Sequence, residues 1–154
     1  KNHVILINDF LFMDDVKYNK DHYWFIVDGN SATVGLSNHM IDAIEEINRI
    51  ELPEVESIFD KNDVVGLIET NEDNIELSTP FTGKILEINT NLFEYPDNIR
   101  NYSYEDKWLF KITIDNEEEI EDSMSEEEYE ALVYEDETNI LDEENDESNY
   151  YTNL

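Results

Sequence analysis

Between Gly66 and Gly83 the chain reads GLIETNEDNIELSTPFTG, two runs of alternating apolar and polar residues that meet at Asn71-Glu72-Asp73-Asn74. Alternation sends successive side chains to opposite faces, so the stretch is satisfied by an antiparallel hairpin that gives one face of each strand to a core. The turn contains no glycine and is acidic. A hairpin of this kind needs other strands to cover it, and the rest of the chain supplies them. YWFIV (23–27) and ATVGL (32–36) are rich in aromatic and β-branched residues and flank Asp28-Gly29-Asn30, a strong hairpin turn signal. Further short strands are expected around 57–59, 63–69, 74–77, 83–88 and 108–114, a spacing that points to an all-β sandwich or barrel.

Helices are few and short. SNHMIDAIEEINRIEL has Ser37 as a candidate N-cap, with Met40, Ile41, Ile44 and Ile47 at three- and four-residue spacing, and it reads as an amphipathic helix. Residues 89–101 have helix or turn character around Pro96. Ser125-Glu126-Glu127-Glu128 forms a capping box ahead of Tyr129, Leu132 and Val133, which predicts a C-terminal helix packed by that apolar edge. Trp24 and Trp108 read as packing residues, and His22 as a surface or cap residue.

Composition removes several function classes. The 154 residues suit one domain, and 40 Asp plus Glu against 9 Lys plus Arg give a formal charge of −31. Such a surface opposes the phosphate neutralisation on which nucleic-acid binding depends. The charge is concentrated late: residues 115–154 hold 18 acids and no base. With no Cys there are no disulfides, thiolate metal sites or thiol catalysis. GxSxG, HExxH, calcium-loop and phosphate-cradling glycine patterns are all missing, so neither an enzyme nor a metal site is expected. No run approaches the ~20 apolar residues of a membrane-spanning helix. The first residue is Lys1, consistent with a removed presequence or with a fragment.

KYNKDHYW (17–24), ATVGLSNH (32–39), ELPEVE (51–56), GLIET (66–70), LSTPFTGKILEIN (77–89), KWLFKI (107–112) and MSEEEYEALV (124–133) follow one another with an order and spacing that resembles the glycine cleavage system H protein. The resemblance implies a mainly β, lipoyl-domain-like barrel-sandwich hybrid with short helices and a C-terminal helix. It divides the chain into an N-terminal extension (1–16), an H-protein-like domain (17–133) and an acidic tail (134–154). It also implies a hairpin that presents a lipoyl-bearing lysine within a motif like Glu-Ser-Val-Lys-Ala, six residues after the glycine matching Gly66 and eleven before the one matching Gly83. Both counts land on Glu72. Neither Asn71 nor Asp73 offers an amine, and Lys84 lies at the hairpin's far base.

The expectation is therefore a degenerate H protein without lipoate or any other cofactor. Its docking hairpin would comprise Glu69, Asn71, Glu72 and Asp73. The resemblance further suggests a structural or binding subunit of a larger mitochondrial assembly, held to protein partners by the N-terminal extension and the acidic tail. The alternative is a regulator or decoy in glycine cleavage or lipoate metabolism, docking on the corresponding enzymes where the carrier docks.

Overall fold

The computed structural model describes residues 15–135. Most of the N-terminal extension and nearly all of the acidic tail lie outside the described residues, and with them the docking roles assigned to both segments. Among the described residues nine strands form two antiparallel sheets. The larger is ordered β1 (Val16–Tyr18), β2 (Tyr23–Asp28), β3 (Ser31–Leu36), β9 (Phe110–Thr113), β8 (Gly83–Ile88), β5 (Ile58–Phe59). The smaller is ordered β4 (Ile47–Glu51), β6 (Val64–Thr70), β7 (Asn74–Ser78). The larger sheet does not close on itself, so the body is a sandwich-like pair of open sheets.

The Asp-Gly signal is realised. Tyr23 pairs with Leu36 and Asp28 with Ser31, and Gly29 takes φ 63°, a value that a side chain would make costly in so tight a turn. Between the sheets lies the main core, in which Val34, Ile68, Leu77, Phe81, Ile85 and Phe110 have essentially no exposure. Strand β2 alternates across the sheet. Tyr23 and Phe25 enter the main core, while Trp24 joins a second cluster with Val16, Tyr18 and Tyr129.

That second cluster is what the C-terminal helix covers. The helix runs from residue 126 through 135 among the described residues, and its capping box is complete: Glu128 N–H donates to Ser125 Oγ at 3.1 Å, and Ser125 N–H donates to Glu128 Oε1 at 2.9 Å. Donation from Ser125, its backbone N–H first, favours the ionised carboxylate and holds Glu128 below the usual carboxylate value. Tyr129 and Val133, one turn apart, then face the cluster.

Three expectations need correction. The helix read over SNHMIDAIEEINRIEL is only α1 (Asn38–Asp42), capped as expected by Ser37 Oγ, which accepts from Met40 N–H. Residues 47–51 are strand β4 instead. Trp108 is not in a strand but closes α3 (Tyr104–Lys107), half-buried over the second cluster. Strand β1 went unread because only three residues form it. In the segment 89–101 the expected helical character appears as α2 (Asn91–Glu94) and a 3-10 turn at Pro96–Arg100.

Candidate functional site

The β6–β7 hairpin spans the acidic stretch, with Glu69 opposite Asn74 as the last pair and residues 71–73 at the tip. Its base is fixed from inside: Tyr23 Oη accepts from Ser78 N–H at 2.8 Å, and a Cβ on Gly66 would come within 2.2 Å of Glu51 O. A Cβ on Gly83, at the start of β8, would collide with Thr113 O. Glycine at both positions lets neighbouring backbones approach closely. Both ends of the stretch are thereby held in place.

The tip is ordered by its own polar groups. Thr70 Oγ1 accepts from Glu72 N–H at 3.2 Å and from Asp73 N–H at 3.0 Å, which compensates for the missing turn glycine. Asn71 reaches sideways, its amide donating to Glu46 and its carbonyl accepting from Asn48 Nδ2 at 3.0 Å. The tip is thus tied to Glu46, just before β4, and to Asn48 within it. Glu69 differs from the other expected docking residues, since it is ion-paired with Arg49 at 3.3 Å on the strand face. Asn71, Glu72 and Asp73 are exposed. Beside them is a depression of about 430 Å³ whose lining includes Glu45, Glu46, Glu72 and Asp73. Lys84 is remote from the tip and pairs with Glu56 at 3.3 Å.

A second constellation sits under the C-terminal helix. Tyr129 Oη bonds His22 Nδ1 at 2.7 Å and Ser37 Oγ at 2.8 Å, and the Tyr129 ring stacks on Tyr18 at 4.6 Å. The His22 and His39 rings lie 5.1 Å apart, although 17 positions separate them in the chain. His22, expected as a surface or cap residue, has φ 76°, outside ordinary strand geometry, and is half-buried. Lys107 is 3% exposed, with Nζ 3.1 Å from Asn38 Oδ1 and 4.5 Å from the Tyr104 ring centre. Burial holds its amine below the usual lysine value, with Asp42 and Glu126 acting the other way, and burial raises the Tyr129 phenol. Among the described residues no group of three or more His, Cys, Asp or Glu could hold a metal ion. No linear motif could have announced this cluster, because its partners stand 92 and 107 residues apart.

A two-sheet β body that projects one braced hairpin and carries a helix across its outer face is a lipoyl-type domain. The family model described as Glycine cleavage H-protein matches residues 16–136. The glycine cleavage system H protein of Staphylococcus saprophyticus is 33% identical over 119 residues, which cover 77% of this chain and 94% of that protein. The H protein of Alcanivorax borkumensis is also 33% identical, over 77% of this chain and 93% of its own. The crystal structure of a glycine cleavage system H protein from Mycobacterium marinum superposes with a TM-score of 0.66 at 24% identity, covering 77% of this chain and 96% of that one. The chain belongs to the glycine cleavage H-protein family, whose members normally carry lipoate on a lysine and are carriers rather than catalysts.

Proposed function

We propose that this chain is a non-lipoylated member of the H-protein family, acting as a binding module in which the hairpin serves as a docking element and not as a carrier. The observation that supports this is the tip itself: position 72, where the family spacing falls, is a glutamate at the turn of a hairpin paired up to Glu69 and Asn74. Lipoate attaches through an amide to a primary amine, and a carboxylate has no nitrogen to acylate. The residues at the tip therefore do not fit the group. The acidic depression beside Glu72 and Asp73 suits a basic partner surface, with long-range attraction weakened as salt shortens the screening length from ~8 Å toward ~3 Å.

The larger assembly proposed is mitochondrial, on the strength of family resemblance, with residues 1–16 and 134–154 as additional anchors. The decoy reading draws on the same intact hairpin, which leaves the docking shape of a carrier in place. Pull-down of the full chain from native extract, followed by mass spectrometry, separates the two: a large stable complex favours the subunit, and a glycine cleavage or lipoylating enzyme favours the decoy. Intact mass after incubation with lipoate and a lipoylating enzyme tests the shared premise. The expected mass is unchanged, and lipoate on any residue of the unmutated chain overturns the non-carrier reading.

A further inference from the structure

At β5, the last strand of the larger sheet, three aliphatic side chains meet solvent: Val55 is 47% exposed, Ile58 73% and Leu86 39%. Ile58 pairs with Lys84 in β8 and so shares its face of the sheet, the one opposite the buried Ile85. Ser57 O accepts from Ile85 N–H at 2.9 Å, and alternation along the ladder turns the N–H and C=O of Ile58 to the open side. The edge is too short to template a long strand, because Glu56 takes φ 80° just before it. It offers two backbone groups and a small aliphatic patch.

The surroundings of the patch select what can cover it. Residues 54–63 hold the acids Glu54, Glu56, Asp60 and Asp63 against Lys61, all of them exposed. A fitting occupant is aliphatic, free of acids, and carries a base beside its apolar residues. A second copy of this chain, at −31, would bring the same acids to the same place. The first residues of the chain itself fit. KNHVILIN (1–8) has four consecutive aliphatic residues, Lys1 and His3, and no acid.

The tether is long enough. This segment joins the fold at β1, the opposite edge of the same sheet, and five strand spacings amount to ~24 Å. From Asp15 the extended chain reaches ~26 Å to Ile7 and ~36 Å to Val4. Ile26, Thr33 and Lys111, paired in one row across β2, β3 and β9, mark the path. Tethering also supplies an effective concentration of roughly millimolar, so a small patch suffices.

We propose that residues 4–7 fold back across the outer face of the larger sheet and pack on Val55, Ile58 and Leu86, with Lys1 toward the acids of 54–63. In the free chain the segment is held on its own domain, and it anchors a partner only after release. The hairpin depression shares no residue with this edge, so either proposal can fail alone.

Because the chain has no Cys, N2C gives the full chain a single site for a nitroxide label. Paramagnetic relaxation enhancement in nitrogen-15 spectra is expected to broaden the amide signals of Ile58 and Leu86 and to spare Asn71 at the hairpin tip. I58K, at an exposed position, and I5D, outside the described residues, should each cut the enhancement at Leu86 about tenfold, the effect of losing one buried Ile side chain. Labelled chain mixed with unlabelled nitrogen-15 chain is expected to show no enhancement. No enhancement at Ile58 and Leu86, enhancement carried between chains in the mixture, or enhancement unchanged by both substitutions would each overturn the proposal.

Discussion

The hairpin tip and the cleft beneath the C-terminal helix are assembled by opposite means. At the tip these polar contacts are exposed and reach either its own turn or Glu46 and Asn48 at the start of β4. In the cleft Trp24, Ser37, Lys107 and Tyr129 are buried, and the bonds of Ser37, Lys107 and Tyr129 join segments 69 to 107 residues apart. Replacing a side chain at the tip changes what the protein presents to a partner and leaves the packing alone. Replacing one in the cleft disturbs a helix, a sheet face and a loop together. Substitution at the tip is therefore compatible with the fold, whereas each side chain of the cleft is constrained by several elements at once.

The strongest way to break this contrast is Trp24→Ala. The ring contacts Tyr104 edge-on at 4.6 Å and lies over Gly35, where no Cβ could be accommodated. Removing it is expected to cost about 3–5 kcal/mol in urea unfolding. A loss below about 1 kcal/mol would show that the second cluster is an accessory to the main core and that cleft and tip are equally dispensable.

Tyr129→Phe probes the same region with less violence. It keeps the ring stacked on Tyr18 but removes the hydroxyl shared by His22 and Ser37. The expected cost is about 1–3 kcal/mol, because Ser37 is buried and loses a partner. Paired with Ser37→Ala in a double-mutant cycle, the two changes should be clearly non-additive. Additivity would mean that the bond between them contributes nothing measurable.

The difference between the regions also explains what could be read from the chain. The β2–β3 hairpin, the capping box and the β6–β7 stretch are local devices, each written within a dozen or so residues, and each appears where expected. Strand β4 was misread for a physical reason. Ile41, Ile44, Ile47 and Ile50 are all buried at three-residue intervals, which imitates a helix. In fact Ile41 and Ile44 belong to α1 and its closing turn, while a register shift between Ile47 and Arg49 brings both Ile47 and Ile50 onto the core face of a strand. The bulge breaks the two-residue period that would have identified the strand. The cleft was invisible for a different reason, since nothing local connects Tyr129 to His22 or Lys107 to Asn38.

A smaller effect separates charge from packing within the cleft. Burial holds Lys107 below the ordinary lysine value of 10.5, so the folded chain binds fewer protons at this group than the unfolded chain does. Its contribution to stability is thus most favourable above that ordinary value and is lost as pH falls through the folded value. Lys107→Met removes this dependence. The variant should lie within about 1 kcal/mol of the parent at neutral pH, because relief from burying the charge offsets the lost Asn38 bond and Tyr104 contact. The parent should gain on the variant as pH rises toward ~10. Tyr18, Tyr104 and Tyr129 are raised above their ordinary 10.0, so their stabilisation is fully present below that value and does not confound the window. A difference that stays constant with pH would show that burial does not perturb Lys107.

The smallest effect on stability is expected at the tip. Glu72 is exposed and engages the fold through its backbone N–H, so Glu72→Lys should change unfolding free energy by no more than about 0.5 kcal/mol. Under the proposed function the substitution places an amine where the family spacing falls, within a turn that differs from the motif the resemblance implies. Asn71, held by Glu46 and Asn48, ties that turn to its neighbour, and Asp73 adds a charge where the motif implied by the resemblance has a small apolar residue. The single variant should therefore be modified poorly, and the triple variant with Asn71→Val and Asp73→Ala should be modified better. Part of that gain would come from releasing the tip from the β4 loop, which Asn71→Ala with Glu72→Lys isolates. Intact mass against time gives the rates. Efficient modification of the single variant would mean that the tip still has the shape of a carrier and that only the nitrogen is missing, whereas a triple variant that remains unmodified would place the obstacle outside residues 71–73.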